Sequence, residues 1–401
     1  MNVLQIHNFY QVRGGEDAVV LNERAMLESR GHKVIPLYAH SSEITHYGLL
    51  DIALLPARIV YNCRMARKLG RLIDRSRVDV VHIHNLWPLI SPSVICVLNR
   101  RKVPYVQTIH NYRYLVPDGI LFKDDLLQPG NRLKVRRRPL GLFHNSILLT
   151  FLYSLTAHLV RWLGLVDNGC GVLQVLTKLS YDIHSQIFPG SRIVVKGNFI
   201  PDSEVEPRIA AEKADYFLFL GRLSPEKGIE TFLDACAQVS GAIAIVAGEG
   251  PLSHSLREHY SANGVEFVGF VEGEQKAQLL ARAKALVVPS VWLEHQPISV
   301  MEASFAATPT VASCIGGLPE MVHNGHTGLL FESGNVAELA SRLQWCGDHP
   351  GELQRMGANA RQFAQEHFSE KSNYEELMAL YAKAVSLACS ARASSEEHHA
   401  K

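Results

Sequence analysis

Two carboxylates at a fixed spacing are the strongest chemical signal in the sequence. Glu294 and Glu302 have seven residues between them and follow a short β-branched apolar run, 285–288, that is typical of a buried parallel strand. Pro289 ends that strand and helical spacing begins near Ile298, so Glu294 is predicted in a loop and Glu302 on the next helix. Ligands of open α/β sheets bind outside the carboxyl ends of strands. Because ionised carboxylates only accept hydrogen bonds, the pair suits a ligand rich in hydroxyl groups. The alternative is a surface glutamate and a helix-stabilising one.

Two cations follow another predicted strand, 216–220. Arg222 and Lys227 lie in the loop after it, where Ser224 is placed as a helix N-cap and Pro225 as the first helical residue. A guanidinium fork, an ammonium group and the backbone N–H groups of a helix start together suit a diphosphate. The alternative is a pair of solvated cations in a strand-to-helix loop.

Near the amino terminus, Gly14 and Gly15 stand between a predicted strand, 3–6, and a predicted helix, 18–27. Glycines before a helix start allow backbone N–H groups to approach a phosphate. The pattern is not GxGxxG, so it does not indicate a dinucleotide site. An ordinary tight turn is the alternative.

Histidines mark the ends of two further predicted strands. The runs 78–85 and 104–111 each end in His-Asn, which places His84 and His110 at strand ends that face the ligand crevice. Histidine there can donate a hydrogen bond and titrates near neutrality. Local packing is the alternative for His82 and His84, and for His82 we prefer it.

These positions require a scaffold of parallel strands alternating with helices, which predicts doubly wound sheets.

A length of 401 residues favours two or three domains, and a composition of 47% hydrophobic and 20% charged residues is ordinary for a globular protein. The net charge of +1 gives no overall attraction to nucleic acid. The seven cysteines are scattered without a CxxC pair, which favours reduced thiols over a disulfide framework or a zinc site. The first residues lack the features of a signal peptide, so a cytoplasmic location is predicted.

Glu294 and Glu302, followed by Gly-Gly-Leu-Pro-Glu at 316–320 and Gly-His-Thr-Gly at 325–328, resemble the retaining glycosyltransferases of family 4. The resemblance implies the α/β GT-B fold, with two Rossmann-like doubly wound domains facing a central cleft. It implies an acceptor-binding domain over 1–200, a donor-binding domain over 201–369 and a helix over 370–390 that crosses back to the first domain. The polar residues 391–401 are predicted to be a disordered tail.

The resemblance also assigns roles to residues. Four are implied in catalysis: His110, Glu294, Arg222 and Lys227. Eleven are implied in binding the donor: Gly14, Gly15, Asn198, Arg222, Lys227, Gly248, Phe270, Glu294, Pro297, Ile298 and Glu302.

The resemblance implies transfer of a sugar, with retention, from a nucleoside diphosphate sugar to a hydroxyl of a glycan or lipid-linked acceptor. Assembly of polysaccharide or lipopolysaccharide is the usual setting of similar chains. No metal is expected to be required, because the cations serve the diphosphate and Asp124-Asp125 is interpreted as solvent-facing. Two alternatives stay open: a nucleotide-sugar epimerase of GT-B fold, and an inactive nucleotide-sugar-binding protein.

A basic run at 134–138 precedes a long apolar stretch at 142–166. His144, Asn145, His158 and Arg161 interrupt the stretch and would be costly at bilayer depth, so a spanning helix is not favoured. An interfacial amphipathic helix is predicted instead, with peripheral contact through 134–166 at the inner face of the cytoplasmic membrane. The alternative is two packed helices with a solvated charge run.

Overall fold

The computed structural model describes residues 1–11, 14–122, 126–127, 134–135, 146–166, 170–188, 192–205, 213–260 and 264–399. The chain forms two compact units, one of residues 1–197 with 373–401 and the other of residues 198–372.

The first unit is built on a six-stranded sheet with the order β2-β1-β3-β4-β7-β8, in which every neighbouring pair is parallel. A separate antiparallel pair, β5 and β6, lies outside it. The strands of this unit are β1 (Asn2–Phe9), β2 (Lys33–His40), β3 (Val80–Ile83), β4 (Tyr105–Ile109), β5 (Leu126–Leu127), β6 (Lys134–Val135), β7 (Gly171–Val175) and β8 (Ile193–Val195). Its helices before the second unit begins are α1 (Gly15–Ser29), α2 (Leu49–Val60), α3 (Cys63–Arg75), α4 (Ser93–Arg101), α5 (Ile147–Trp162) and α6 (Lys178–Ser185), with a 3₁₀ turn at Ser41–His46.

The second unit is built on another six-stranded parallel sheet, with the order β11-β10-β9-β12-β13-β14. Its strands are β9 (Phe217–Leu220), β10 (Ala244–Ala247), β11 (Val265–Gly269), β12 (Ala285–Val288), β13 (Thr310–Ser313) and β14 (Gly328–Phe331). The helices are α7 (Asp202–Val205), α8 (Ile229–Ala237), α9 (Ser253–Tyr260), α10 (Gly273–Arg282), α11 (Ile298–Phe305), α12 (Leu318–Met321), α13 (Val336–Asp348) and α14 (Pro350–His367), and α15 (Glu370–His399) starts here and continues into the first unit.

Each sheet has one point where the order of the strands reverses. In the first unit the chain moves outward from β1 to β2 and returns to β3, so the reversal lies between β1 and β3. In the second unit it lies between β9 and β12. Loops at such a point diverge and leave room for a ligand at the carboxyl ends of the strands. The prediction of an α/β, doubly wound architecture is confirmed.

The inner strands of both sheets form because they are short apolar runs buried on both faces, as central parallel strands are. All four residues of β12 are buried, and so are all five of β4. The helix that begins at Ile298 starts where the apolar spacing predicts it.

Two local predictions differ from the structure. Residues 391–399 lie in α15 and not in a disordered tail; they continue a helix that is already nucleated, and Arg392 Nη2 donates to the carbonyl of Lys102 at 2.8 Å. The helix after β9 does not start at Pro225: a 3₁₀ turn covers Pro225–Lys227, and α8 begins after Gly228, whose φ is +65°.

The predicted membrane segment is only partly described. Its residues 136–145 and the Asp124-Asp125 pair lie outside the described residues, and residues 147–162 form α5. Among the described residues no helix is both long enough and apolar enough to cross a membrane.

Two buried histidines make the stability of the first unit depend on pH. Burial lowers the pKa of His184 and of His84 from 6.5 to about 4. The unfolded chain therefore binds more protons than the folded chain between those values, so stability is lost as pH falls from about 6.5 toward 4, by up to about 3 kcal/mol for each histidine.

We expect His184→Gln to reduce this slope, because glutamine does not titrate. Urea denaturation at several pH values measures it, with His254→Gln, at a largely exposed side chain, as the control that keeps the slope of the wild type. Equal slopes in the wild type and His184→Gln would show that His184 does not contribute.

Candidate functional site

In the second unit, the loops after β9 and β12 are in direct contact at the reversal of strand order. Val291 N donates to Glu226 O at 3.0 Å across the two loops. A Cβ on Gly228 would lie 2.0 Å from the carbonyl oxygen of Pro289, so only glycine allows this approach. The two predicted motifs are therefore held together by backbone.

That contact brings Lys227 to Glu294. Lys227 Nζ lies 2.6 Å from Glu294 Oε1, and Ser290 Oγ donates to the same oxygen at 2.7 Å. Glu294 is only 4% exposed, and the ammonium group also lies 5.3 Å from the centre of the Trp292 ring. A buried carboxylate without its cation would cost about 3–5 kcal/mol, so the pair fixes both side chains. Ser290 and Trp292 were not singled out from the sequence.

The Gly-Gly pair supports the Glu294 loop from the other side. Gly317 N donates to Glu294 O at 2.7 Å. Gly316 has φ +64°, and a Cβ there would lie 2.4 Å from Glu294 N. The backbone of this glycine pair therefore lies in close contact with the loop of Glu294.

Arg222 lies on the same loop as Lys227 and is exposed. Its loop rests on the turn after β10: a Cβ on Gly248, whose φ is +137°, would lie 1.9 Å from Gly221 O, and one on Gly250 would lie 2.3 Å from Leu223 O. Gly248 thus supports the position of the Arg222 loop through backbone contact.

Glu302 has a different partner. Its carboxylate pairs with the ammonium group of Lys276, on α10. Both line a pocket of about 30 Å³ together with apolar residues of α10 and α11, including Leu280 and Phe305. The structure thus brings Lys227 to Glu294 but pairs Glu302 elsewhere. Lys276 was not predicted from the sequence, because no local spacing connects it to Glu302.

The structure also describes the remaining predicted donor residues of this unit. Asn198 is buried, and its N–H donates to Gln296 Oε1 at 2.6 Å, two residues after Glu294. Pro297 is the N-cap of α11 and Ile298 its first residue, both half-buried. Phe270, at the end of β11, is 63% exposed.

In the first unit, His110 follows β4 and meets His84, which follows β3. His84 Nδ1 lies 3.1 Å from His110 Nε2. Beside them, at the end of β1, Tyr10 Oη donates to Glu16 at 2.7 Å, and Arg113 lies over the Tyr10 ring at 5.5 Å. Burial raises the pKa of Glu16, although nearby charges, His7 first, oppose this.

Gly14 and Gly15 are exposed at the start of α1. Asp17, in the first turn, accepts from Gly14 N at 3.1 Å and contacts His7 Nε2 at 2.8 Å. Two carboxylates in this turn, Glu16 and Asp17, oppose a phosphate there and suit a hydroxyl ligand better.

One group of side chains in the described residues has the donor atoms of a metal site: Glu23, His82 and His84, all buried, with ligand atoms within 4.8 Å of one another. Glu23 Oε1 and His82 Nδ1 are 2.6 Å apart, a hydrogen-bond distance. An ion bound to both atoms would have to separate them, because two ligands about 2 Å from one metal lie about 3 Å apart. The group therefore fits a hydrogen-bonded network better than a metal centre.

Two family models match the chain. The model of the glycosyl transferases group 1 matches residues 202–363, and that of the glycosyl transferase 4-like domain matches residues 14–143. A glycogen synthase of Mycobacterium tuberculosis is 31% identical over 314 residues, which cover 74% of this chain and 66% of that protein, just under two thirds. The D-rhamnosyltransferase WbpZ of Pseudomonas aeruginosa is 26% identical over 82% of this chain and 77% of its own length.

Solved structures show the same fold. The sucrose-phosphate synthase of Thermosynechococcus elongatus superposes with a TM-score of 0.69 at 17% identity, covering 95% of this chain and 98% of its own. HepE of Anabaena, solved in complex with UDP-glucose, superposes with a TM-score of 0.66 at 17% identity, covering 95% of this chain and 99% of its own. The GT-B fold implied by the sequence is confirmed.

The approach of Gly316 to Glu294 can be tested by substitution. Gly316→Ala adds a clash with Glu294 N to the strain of a positive φ. Gly241→Ala adds only the strain, because φ is +76° there and nothing lies within 4 Å of the added Cβ. We expect Gly241→Ala to lose about 1–2 kcal/mol of unfolding free energy and Gly316→Ala clearly more. Urea denaturation measures both losses, and equal values would refute the close approach.

Proposed function

The chain belongs to glycosyltransferase family 4, the transferases of group 1, and from this membership we propose that it transfers a sugar from a nucleoside diphosphate sugar to a hydroxyl of a glycan or lipid-linked acceptor, with retention at the anomeric carbon. The observation that carries the proposal is the Lys227–Glu294 pair at the strand-order reversal of the second unit. The pair places one cation and one hydrogen-bond acceptor side by side.

The chemistry of the pair fits the donor. An ammonium group has three N–H donors, so Lys227 can keep its bond to Glu294 and donate another to a phosphoryl oxygen. Arg222 adds a planar fork from the same loop. As the bond between the sugar and the diphosphate breaks, negative charge grows on the leaving diphosphate, and fixed cations stabilise it by about 3 kcal/mol each.

The acidic groups complete the donor site. Glu294 accepts from a hydroxyl of the sugar, and Glu302, paired with Lys276, accepts from the ribose. Phe270 is largely exposed, so the face of its ring is available for stacking with the base of the nucleotide. His110, in the first unit, acts at the sugar, as the resemblance implies, and the acceptor binds to that unit. We propose a front-face route, because the resemblance supplies no carboxylate placed as a covalent nucleophile.

The relatives support this reading of the ligand classes. HepE has been solved with UDP and with UDP-glucose, which supports a nucleoside diphosphate sugar as donor. A glycogen synthase among the relatives supports a glycan acceptor and a role in polysaccharide assembly, and a D-rhamnosyltransferase supports sugar transfer. A role in lipopolysaccharide assembly is proposed from the family resemblance. No metal is required in the proposed reaction, because Arg222 and Lys227 serve the diphosphate.

We propose peripheral membrane contact at the cytoplasmic face, carried by the first unit. The helix α5 exposes large apolar side chains, among them Ile147, Phe151 and, at 74%, Trp162. The large exposed apolar residues of α2, which packs against α5, are Leu49, Leu50, Ile52 and Leu54. Exposed apolar side chains on two helices that pack together are typical of an interface.

Basic residues next to this surface indicate an anionic bilayer as the occupant. The helix α3 directly follows α2, and its exposed cations are Arg64, Arg67, Lys68, Arg71 and Arg75. Arg64 Nη1 reaches Asp51 of α2 at 3.5 Å, which ties the two helices together. A monotopic protein has this arrangement: its apolar side chains insert at the acyl boundary, and its cations contact the lipid headgroups.

Turnover should depend on Lys227. We expect Lys227→Met to lower kcat about 10²–10³-fold, because it removes a cation from the leaving diphosphate. The variant also leaves Glu294 buried without its cation, so Lys227→Met/Glu294→Gln should recover stability but not turnover. Arg355→Ala, on an exposed pair with Glu352, is the control.

The assay measures sugar transfer to an extract that contains glycans and lipid-linked glycans. Different nucleotide sugars are supplied as donors, and a metal chelator is present throughout. Transfer near the wild-type rate in the double variant would contradict the role of the pair. Loss of activity in chelator would contradict the metal-free route. Conversion of a nucleotide sugar to its epimer without acceptor would indicate the epimerase alternative, and binding without any transfer would indicate an inactive protein.

Membrane contact should depend on the exposed apolar residues. We expect the wild type to float with vesicles that contain phosphatidylglycerol, and Leu50→Ser/Phe151→Ser to float several-fold less because apolar insertion is lost. Ile243→Ser, at an exposed apolar residue of the second unit, is the matched control. Flotation that is absent in the wild type, or equal in the wild type and the double variant, would refute this surface.

A further inference from the structure

A buried polar column in the first unit leads from Glu23, on α1, through His84 to His110. We propose that Glu23 and His84 are positioning residues that hold His110 in one tautomer, with its proton on Nε2, so that any proton exchanged with a ligand moves at Nδ1. The significance of this for transfer rests on the proposed function, but the tautomer itself can be measured without any activity.

The geometry places the three groups in sequence. Adjacent strands β3 and β4 carry His84 and His110 at their carboxyl ends, and the two rings are within 22° of parallel with centres 5.4 Å apart. His84 Nδ1 lies 3.1 Å from His110 Nε2, so one of the two nitrogens carries the shared proton. On the other side of the ring, His84 Nε2 lies 3.4 Å from Glu23 Oε1.

The charge of Glu23 selects the tautomer of His84. Burial alone would raise the pKa of Glu23, but His82 and His84 hold it well below its usual value, so the carboxylate is ionised. The 3.4 Å contact is a charge contact and not a well-aligned hydrogen bond. A bare nitrogen facing an ionised oxygen at that distance would be repelled, so His84 Nε2 carries the proton.

The tautomer of His110 then follows. A neutral His84 with its proton on Nε2 has a lone pair on Nδ1, which can only accept. His110 Nε2 must therefore donate to it. The ordinary freedom of an imidazole to choose either nitrogen is removed, as when a second group fixes the ring of a catalytic histidine.

Glu23 itself is held by a second set of contacts. His82 Nδ1 lies 2.6 Å from Glu23 Oε1, and Thr108 Oγ1 lies 2.8 Å from His82 Nε2. Tyr381 of α15 places its hydroxyl 2.8 Å from His82 Nδ1. Since this oxygen and both His82 nitrogens have partners, the carboxylate stays in place. His82 is thus a support of the column, in agreement with the packing role preferred from the sequence.

The groups facing His84 keep it neutral. They are Glu23 on α1, His7 on β1, His82 on β3, His110 after β4 and Lys196 after β8. Burial, joined by the charges of His82 and Lys196 and opposed by Glu23, lowers the pKa of His84 to about 4. The His84 ring is therefore neutral above about pH 5, and the tautomers of His84 and His110 are fixed there. At lower pH a second proton on Nδ1 would face the proton of His110 and break the contact.

Nitrogen NMR of the full chain labelled with ¹⁵N-histidine tests the proposal directly, because long-range proton correlations distinguish Nδ1–H from Nε2–H rings. His110→Gln identifies the His110 signals by their loss. We expect Nε2–H for His110 and for His84 in the wild type at pH 7. An Nδ1–H signal for His110 would overturn the proposal, and the tautomers themselves are read from the spectrum of the wild type.

Glu23→Gln then tests the cause. A glutamine amide can donate to His84 Nε2, so we expect a large share of His110 to change to Nδ1–H. Thr108→Val is the matched control, since it removes a partner of His82 and leaves Glu23, His84 and His110 in place; its His110 signals should match the wild type. Unchanged signals in Glu23→Gln, or one equivalent of metal found in the purified protein by elemental analysis, would refute the assignment.

If the proposed transfer activity is confirmed, kinetics add a second readout. Glu23→Gln should lower kcat more than it changes KM, and it should alter the pH profile of kcat. If the substitution only unfolded part of the protein, kcat would fall in proportion to the folded fraction and its pH profile would keep its shape. Absence of transfer in the wild type would remove the proposed function but leave the tautomer result intact. The two claims can thus fail separately.

Discussion

The contact between Lys227 and Glu294 is the interaction on which the candidate site depends. A carboxylate that is 4% exposed has to be paired, and its cation comes from a loop that starts at a different strand. This requirement fixes the loops after β9 and β12 against each other where the strand order reverses. Glycine is required at positions 228 and 316 for this contact, because a side chain at Gly228 would separate the two loops and one at Gly316 would displace Glu294.

The two units use the same topological position with different chemistry. In the second unit, ion pairs predominate near the surface, and they suit a ligand that carries both phosphate charges and hydroxyls. In the first unit, the strand ends present a network of histidines, a tyrosine and carboxylates, largely buried and held by hydrogen bonds. Such a network binds and orients neutral hydroxyl groups, and it fixes the protonation of the side chains that face them. The two units therefore suit ligands of different chemistry.

The sequence predicted what depends on local pattern. The strand at 285–288 and the start of α11 at Ile298 follow from an apolar run and from helical spacing, and both are present. It could not predict partners far apart in the chain. Lys276 and Glu302 are 26 residues apart, and His82 and Tyr381 are 299 residues apart; periodicity shows which face is buried but not what lies opposite. The exposed apolar face of α2 was also missed, because its composition is that of a core helix.

Calorimetric titration of the wild type with a nucleoside diphosphate and with the matching monophosphate tests the central claim most directly, with the base chosen by a thermal-shift screen of nucleotide sugars. A site built around Lys227 and Arg222 for a diphosphate should bind the diphosphate at least about ten-fold more tightly, a difference of about 1.4 kcal/mol. That preference should disappear in Lys227→Met/Glu294→Gln. Equal affinity of the wild type for the two nucleotides would contradict the claim that this pair holds a pyrophosphate.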